Sequence, residues 1–131
     1  MKKDIQSRED IILLVNEFYK KALIDPSIGP VFHSGIDMDH WDEHKERIYN
    51  FWETVLLGAS SYKGNPFYKH MHLPLEDRHF DTWFKYFKDT VEELFEGEKA
   101  NEIIDRADKM SLMFSSKLKH IRTHKTWKPI L

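Results

Sequence analysis

Apolar residues recur along this chain every three or four positions, the period of a helix, and alternation of the strand kind is scarce. Ile11, Leu14, Val15, Phe18 and Ala22, with Tyr19 beside them, mark the buried side of a first helix. Ser7 stands as its N-cap with Asp10 three residues on, a variant of the capping box. Its end is expected near Asp25-Pro26, because the residue before a proline is pushed out of the helical region. The connector "DPSIGPVFHSG" follows, with two prolines, two glycines and room for one helical turn.

Trp41, Ile48, Phe51, Trp52 and Val55 form the stripe of a second helix, which runs from Asp39 as N-cap to Gly58 as terminator. His44 falls on the same stripe, which places an imidazole on the buried side. Residues 59–77 read mostly as loop, with a short helical segment at 66–72 as an option. Phe80, Trp83, Phe84, Phe87, Val91 and Leu94 predict a third long helix over Arg78–Phe95. Gly97 interrupts, and Ile103, Ile104, Ala107, Met110, Phe114 and Leu118 predict the last helix over Ala100–His120. No repeat, low-complexity tract or linker appears. The pattern predicts an all-α fold in one domain over residues 1–131, with terminal extensions at 1–8 and 122–131.

Composition narrows the function classes. A length of 131 residues suits one domain, and 40% hydrophobic with 32% charged residues suits a folded globular chain. A net charge of −2 gives no reason to expect nucleic acid or an anionic membrane as partner. The longest apolar run, Ile11–Val15, is far short of the roughly 20 residues that span a bilayer. "MKKDIQSRED" has no apolar segment behind its lysines, so the expected location is the cytoplasm. Cysteine is absent, which removes disulfides, thiolate metal sites, iron–sulfur clusters, cysteine nucleophiles and covalent haem attachment. Aromatic residues reach 14%, and there are eight histidines. That excess fits either an aromatic core or a pocket for a large flat apolar ligand.

Several histidine patterns invite a metal reading. His40 and His44 are four apart on one helical face, a spacing some zinc sites use, but no Glu stands between them in the H-E-x-x-H manner. His120 and His124 repeat the spacing near the C-terminus, where a solvated face is the simpler reading. A di-iron bundle reading is weak, since neither Glu43 nor Glu46, near His44, begins a Glu-x-x-His pair, and no phosphate loop or nucleophile elbow emerges. Tyr19, His44 and Trp83 lie on three different predicted helices and could converge on one small polar ligand, since buried polar tips need partners. "GNPFYKHMHLP" holds His70 and His72. On a helix they would point about 200° apart, while in an extended segment they would share a face. Periodicity does not choose between these.

Four ordered blocks carry a resemblance. "EFYKKALIDPSIGPVF", "HWDEHKERIYNFWETVLLG", "YKGNPFYKHMHLP" and "HFDTWFKYFKDTV" together resemble the truncated haemoglobins of group III, over about residues 10–118. The lack of any Gly-Gly pair suits that group. The resemblance implies a two-over-two helical sandwich around non-covalent haem b. It implies that His70 is the proximal iron ligand, with Tyr19, His44 and Trp83 on the distal side. Phe18, Phe32, Ile48 and Trp52 match apolar wall positions. Arg47 and Lys69 are candidates for the haem propionates, with ordinary surface charge as the simpler alternative. His72 reads as a bystander, and His79 as a cap or a solvated residue.

The expected function is therefore binding of O₂, NO or CO at a His-ligated haem, by a monomer. NO dioxygenation or peroxide handling would need an external reductase, since no flavin or nicotinamide motif is present. Two rivals stand beside this reading. One is a haem-free helical interaction module, and the other is a zinc protein centred on His40 and His44.

Overall fold

The structure is a computed structural model and describes residues 2–35, 38–60, 62 and 75–124, without the side chains of 38 and 122–124. Among these residues, five α-helices and one 3₁₀ turn make up the regular structure. They are α1 (Arg8–Ala22), α2 (Gly29–Gly35), the 3₁₀ turn Met38–His40, α3 (Trp41–Leu57), α4 (Asp77–Leu94) and α5 (Glu98–His124). No strand occurs among the described residues.

Each long helix forms because its apolar positions keep the helical period, and packing follows from those stripes. On α1, Ile11, Leu14, Val15, Phe18, Tyr19 and Ala22 are all buried, as the pattern predicts. Burying one such side chain contributes roughly 1.5–3 kcal/mol. α1 packs on α3 and α4 on α5, while α1 with α4 and α3 with α5 join the two pairs. This is the two-over-two arrangement that the resemblance implies. The main core holds the α1 stripe with Trp52, Phe87, Val91 and Ile103. A smaller cluster of Leu75, Phe80, Phe114 and Leu118 lies between the start of α4 and the later part of α5.

Helix ends differ from the sequence expectations in instructive ways. α1 does begin after Ser7, but the serine side chain makes no capping hydrogen bond. Asp10 instead accepts from the Gln6 N–H at 2.8 Å and pairs with the Lys3 ammonium at 2.8 Å. The N-terminal segment offers Asp10 both an N–H and a cation, so the buried carboxylate turns toward that segment. α1 stops at Ala22, before the Asp25-Pro26 step, and the connector forms the two-turn α2 rather than a single turn. α3 starts after His40 rather than Asp39, because the 3₁₀ turn occupies Met38–His40. Gly58 ends it in the left-handed conformation at φ 76°, as expected of a terminating glycine. The helical option at 66–72 lies outside the described residues.

The first residues are more than a loose extension. Ile5 is 2% exposed and belongs to the core. Asp4 accepts hydrogen bonds from the N–H groups of Lys99 (2.9 Å) and Ala100 (2.8 Å), so it caps α5 from the far end of the chain. Burial alone would raise the Asp4 pKa, but three backbone donors and Lys99 outweigh it and hold the carboxyl below its ordinary range. Gly97 makes the approach feasible: a Cβ there would lie 2.6 Å from Asp4 Cγ, and its φ of 139° disfavours any L side chain.

Candidate functional site

Tyr19 enters the interior because the α1 stripe widens there to take both Phe18 and its neighbour. It is 6% exposed. Its hydroxyl and His44 Nε2 share a hydrogen bond at 3.2 Å, with donor and acceptor set by the His44 tautomer. Burial, and secondarily the Tyr49 charge, push the Tyr19 pKa far above the ordinary tyrosine value, so the phenol keeps its proton.

Aromatic planes hold this pair in place. Trp41, one turn before His44 on α3, stacks on the imidazole at 5.4 Å and 18°. The Tyr19 ring meets Trp41 edge-on at 4.9 Å and Phe32 edge-on at 5.5 Å. The Lys45 ammonium lies 6.0 Å from the Trp41 ring centre. From α4, Trp83 stacks on Phe87 at 5.3 Å and meets Phe18 edge-on at 5.9 Å. Phe87 in turn stacks on Trp52 of α3 at 5.1 Å. Such edge and offset contacts are the favoured geometries of aromatic pairs.

These rings enclose a cavity of about 340 Å³, within the roughly 300–1,000 Å³ typical of cofactor and small-molecule sites. Tyr19, His44, Trp83, Phe18, Phe32, Arg47, Ile48 and Trp52 all line it. Lys69 and His70 lie outside the described residues, as does His72. His40 lines the same cavity as His44. Yet no group of three His, Asp or Glu side chains able to hold a metal ion forms among the described residues.

A family model for bacterial-like globins matches residues 3–116. Group 3 truncated hemoglobin ctb of Campylobacter jejuni is 35% identical over 121 residues, covering 90% of this chain and 95% of that protein. The chain belongs to the bacterial-like globins, and among them to the group III truncated haemoglobins. The crystal structure of a group III truncated hemoglobin from Campylobacter jejuni superposes with a TM-score of 0.81, covering 90% of this chain and 95% of that one. Group 1 truncated hemoglobin LI410 of Chlamydomonas moewusii is 31% identical over 84% of this chain and 61% of that protein.

Membership implies a haem cofactor and haem-based ligand binding for this globin. The cavity fits such a group. Its walls are mostly aromatic and aliphatic, which suits a flat apolar macrocycle, and its polar atoms gather in few places. One gathering is the Tyr19–His44 pair. Another is exposed Arg47, whose charge also reaches Tyr62 and partly offsets the burial that raises the Tyr62 pKa.

Several lining residues carried no functional expectation from sequence. Met110 and Phe114 of α5 were expected simply as core, and they line the cavity with Ser111. His79, expected to cap or to sit in solvent, does cap, since its Nδ1 accepts from the Glu76 N–H at 2.9 Å. It is also buried and lines the cavity. Its spacing of four from Trp83 on one helix face was the available signal.

Proposed function

We propose that this globin binds haem b in the aromatic cavity through His70 and presents Tyr19, His44 and Trp83 to a diatomic ligand. The observation that carries this reading is the part-buried Tyr19–His44 hydrogen bond inside a mostly aromatic and aliphatic cavity. Bound ferrous haem would supply an iron that takes up O₂, NO or CO and passes the ligand partial negative charge. The residues then act as donors. The Tyr19 hydroxyl stays protonated because burial disfavours the phenolate, so it keeps a hydrogen to offer. His44 relays the orientation of that hydrogen through the atom it shares with Tyr19. Trp83 brings an indole N–H, a donor only, from the opposite helix pair. Each hydrogen bond to a charged acceptor contributes roughly 1.5–3 kcal/mol. Phe18, Phe32, Ile48 and Trp52 keep water away, while Arg47 and Lys69 take the haem carboxylates.

Such a polar distal side favours ligand retention over easy delivery. It suits NO or peroxide chemistry in the cytoplasm, with the protein acting as a monomer and electrons coming from a separate reductase.

The test is the absorption spectrum of the purified, reduced, deoxygenated protein. A Soret band with five-coordinate ferrous features is expected, and His70→Ala should lose haem or change the spectrum. A protein with no Soret band would be the haem-free helical module instead. Zinc without iron on metal analysis would favour the His40/His44 site. An unchanged spectrum in His70→Ala would remove His70 as the iron ligand.

A further inference from the structure

Beyond the Tyr19–His44 pair, a further imidazole lines the cavity, and this one is buried. His79 sits in the first turn of α4, 6% exposed, and lines the cavity. Its Nδ1 accepts the Glu76 N–H at 2.9 Å. A neutral imidazole carries one proton, so a ring whose Nδ1 accepts must carry that proton on Nε2. Burial first, then the Arg78 charge, lower the His79 pKa against a smaller opposing effect of Glu76, so the neutral ring is the form present near pH 7.

Nε2–H has no hydrogen-bond partner among the described residues. No side-chain nitrogen or oxygen among those residues is both sealed from space and unpaired. Nε2 therefore keeps contact with open space, and the space this ring lines is the cavity. The other buried polar groups of the wall are engaged. Tyr19 pairs with His44, and the Ser111 hydroxyl donates to the Phe80 carbonyl at 3.4 Å. A ring fixed in this tautomer has no lone pair at Nε2, so it cannot ligate a metal there. It can only donate, and a buried donor without an acceptor is costly.

We propose that His79 Nε2–H donates to a carboxylate of the bound haem, tying one edge of the cofactor to the start of α4. This rests on the haem reading above. Of the groups a haem carries, only its two carboxylates are strong acceptors, and a charged acceptor gives the stronger hydrogen bond.

The test compares protohaem with its dimethyl ester, which lacks the carboxylates, in wild type and in His79→Asn. The Asn side-chain oxygen can still accept the Glu76 N–H, so the cap is kept while the donor into the cavity is lost. The readout is the rate of haem transfer to excess apoglobin, with helix content followed by circular dichroism. The variant should lose protohaem about tenfold faster than wild type, and the two proteins should lose the diester at equal rates. Equal rates with protohaem, or the same acceleration with both haems, would overturn the proposal and leave His79 a helix cap. A wild type that takes up no haem sinks the haem reading itself, and this inference with it.

A second measurement needs no variant. Nitrogen-15 NMR of His79 in the wild-type holoprotein should show an Nε2–H that exchanges slowly with protohaem and quickly with the diester. Identical exchange with both also overturns the assignment.

Discussion

The Tyr19 hydroxyl of α1 lies 3.2 Å from Nε2 of His44 on α3, joining two crossing helices inside the cavity. Each residue gives the other a polar partner that the apolar walls do not. A diatomic ligand in the cavity would meet both groups already oriented, without the cost of arranging them on arrival. Tyr19→Phe keeps the ring and removes the hydroxyl. It should raise the O₂ dissociation rate about tenfold, the loss of one hydrogen bond to a partly charged acceptor. Stopped-flow displacement of O₂ measures this, and an unchanged rate removes Tyr19 from the donors.

Trp41 should matter without touching the ligand. It stacks on His44 and takes the Tyr19 ring edge, so it fixes the planes of both. Trp41→Leu keeps apolar volume but removes the flat surface. Aromatic pairs contribute about 0.5–1.5 kcal/mol beyond area. A two- to tenfold rise in O₂ dissociation is expected, with the deoxy spectrum unchanged. Should the rate stay at the wild-type value, Trp41 is packing alone.

The contact between the N-terminal segment and α5 makes a stability prediction. Asp4→Ala removes two side-chain acceptors at the first turn of α5 and should cost about 1 kcal/mol. Gly97→Ala should cost more, roughly 1–3 kcal/mol, because it combines a disfavoured φ with a clash against Asp4. In the double variant the two losses should be less than additive, since the alanine at 4 relieves the clash. Urea unfolding midpoints decide this, and strict additivity would mean that the two positions do not interact.

Asp25 carries a specific acid sensitivity. The Tyr86 hydroxyl donates to it at 2.5 Å, and the N–H groups of Ser27 and Ile28 donate at 2.7 and 3.0 Å. Led by Tyr86, these hydrogen bonds lower its pKa from the ordinary 3.8 to about 2 against the effect of burial. The folded state thus binds this proton less readily than the unfolded chain. The stabilisation is complete above about pH 4 and is lost as pH falls toward 2. Tyr86→Phe should move the Asp25 carboxyl pKa back up, read by NMR, and raise the pH at which acid unfolding begins. An Asp25 pKa that stays near 2 in that variant would point to the backbone donors alone.

Most of the fold was legible because helical period and burial are local properties. The α1 stripe from Ile11 to Ala22 and the α4 stripe from Phe80 to Leu94 needed only the spacing of apolar residues. The ends of helices were less legible. Ser7, Asp39 and the Asp25-Pro26 step were read from local rules, but Lys3, the 3₁₀ turn and the start of α2 shifted the outcome. The candidate site was legible through the four family-like blocks, and eight of its ten residues line one cavity. His70 and Lys69 lie outside the described residues, so their roles rest on those blocks.

The sequence by itself determined that the chain is all-α, where its apolar faces lie, and that cysteine chemistry is excluded. Only the tertiary structure decided which polar atoms meet. Tyr19 and His44 are 25 positions apart, Asp4 and Ala100 are 96 apart, and the cavity that His79 lines is built largely by other helices. The period of a helix sets which face a residue occupies. The crossing of helices sets what that residue touches, and hydrogen bonds only a few ångströms long depend on the second.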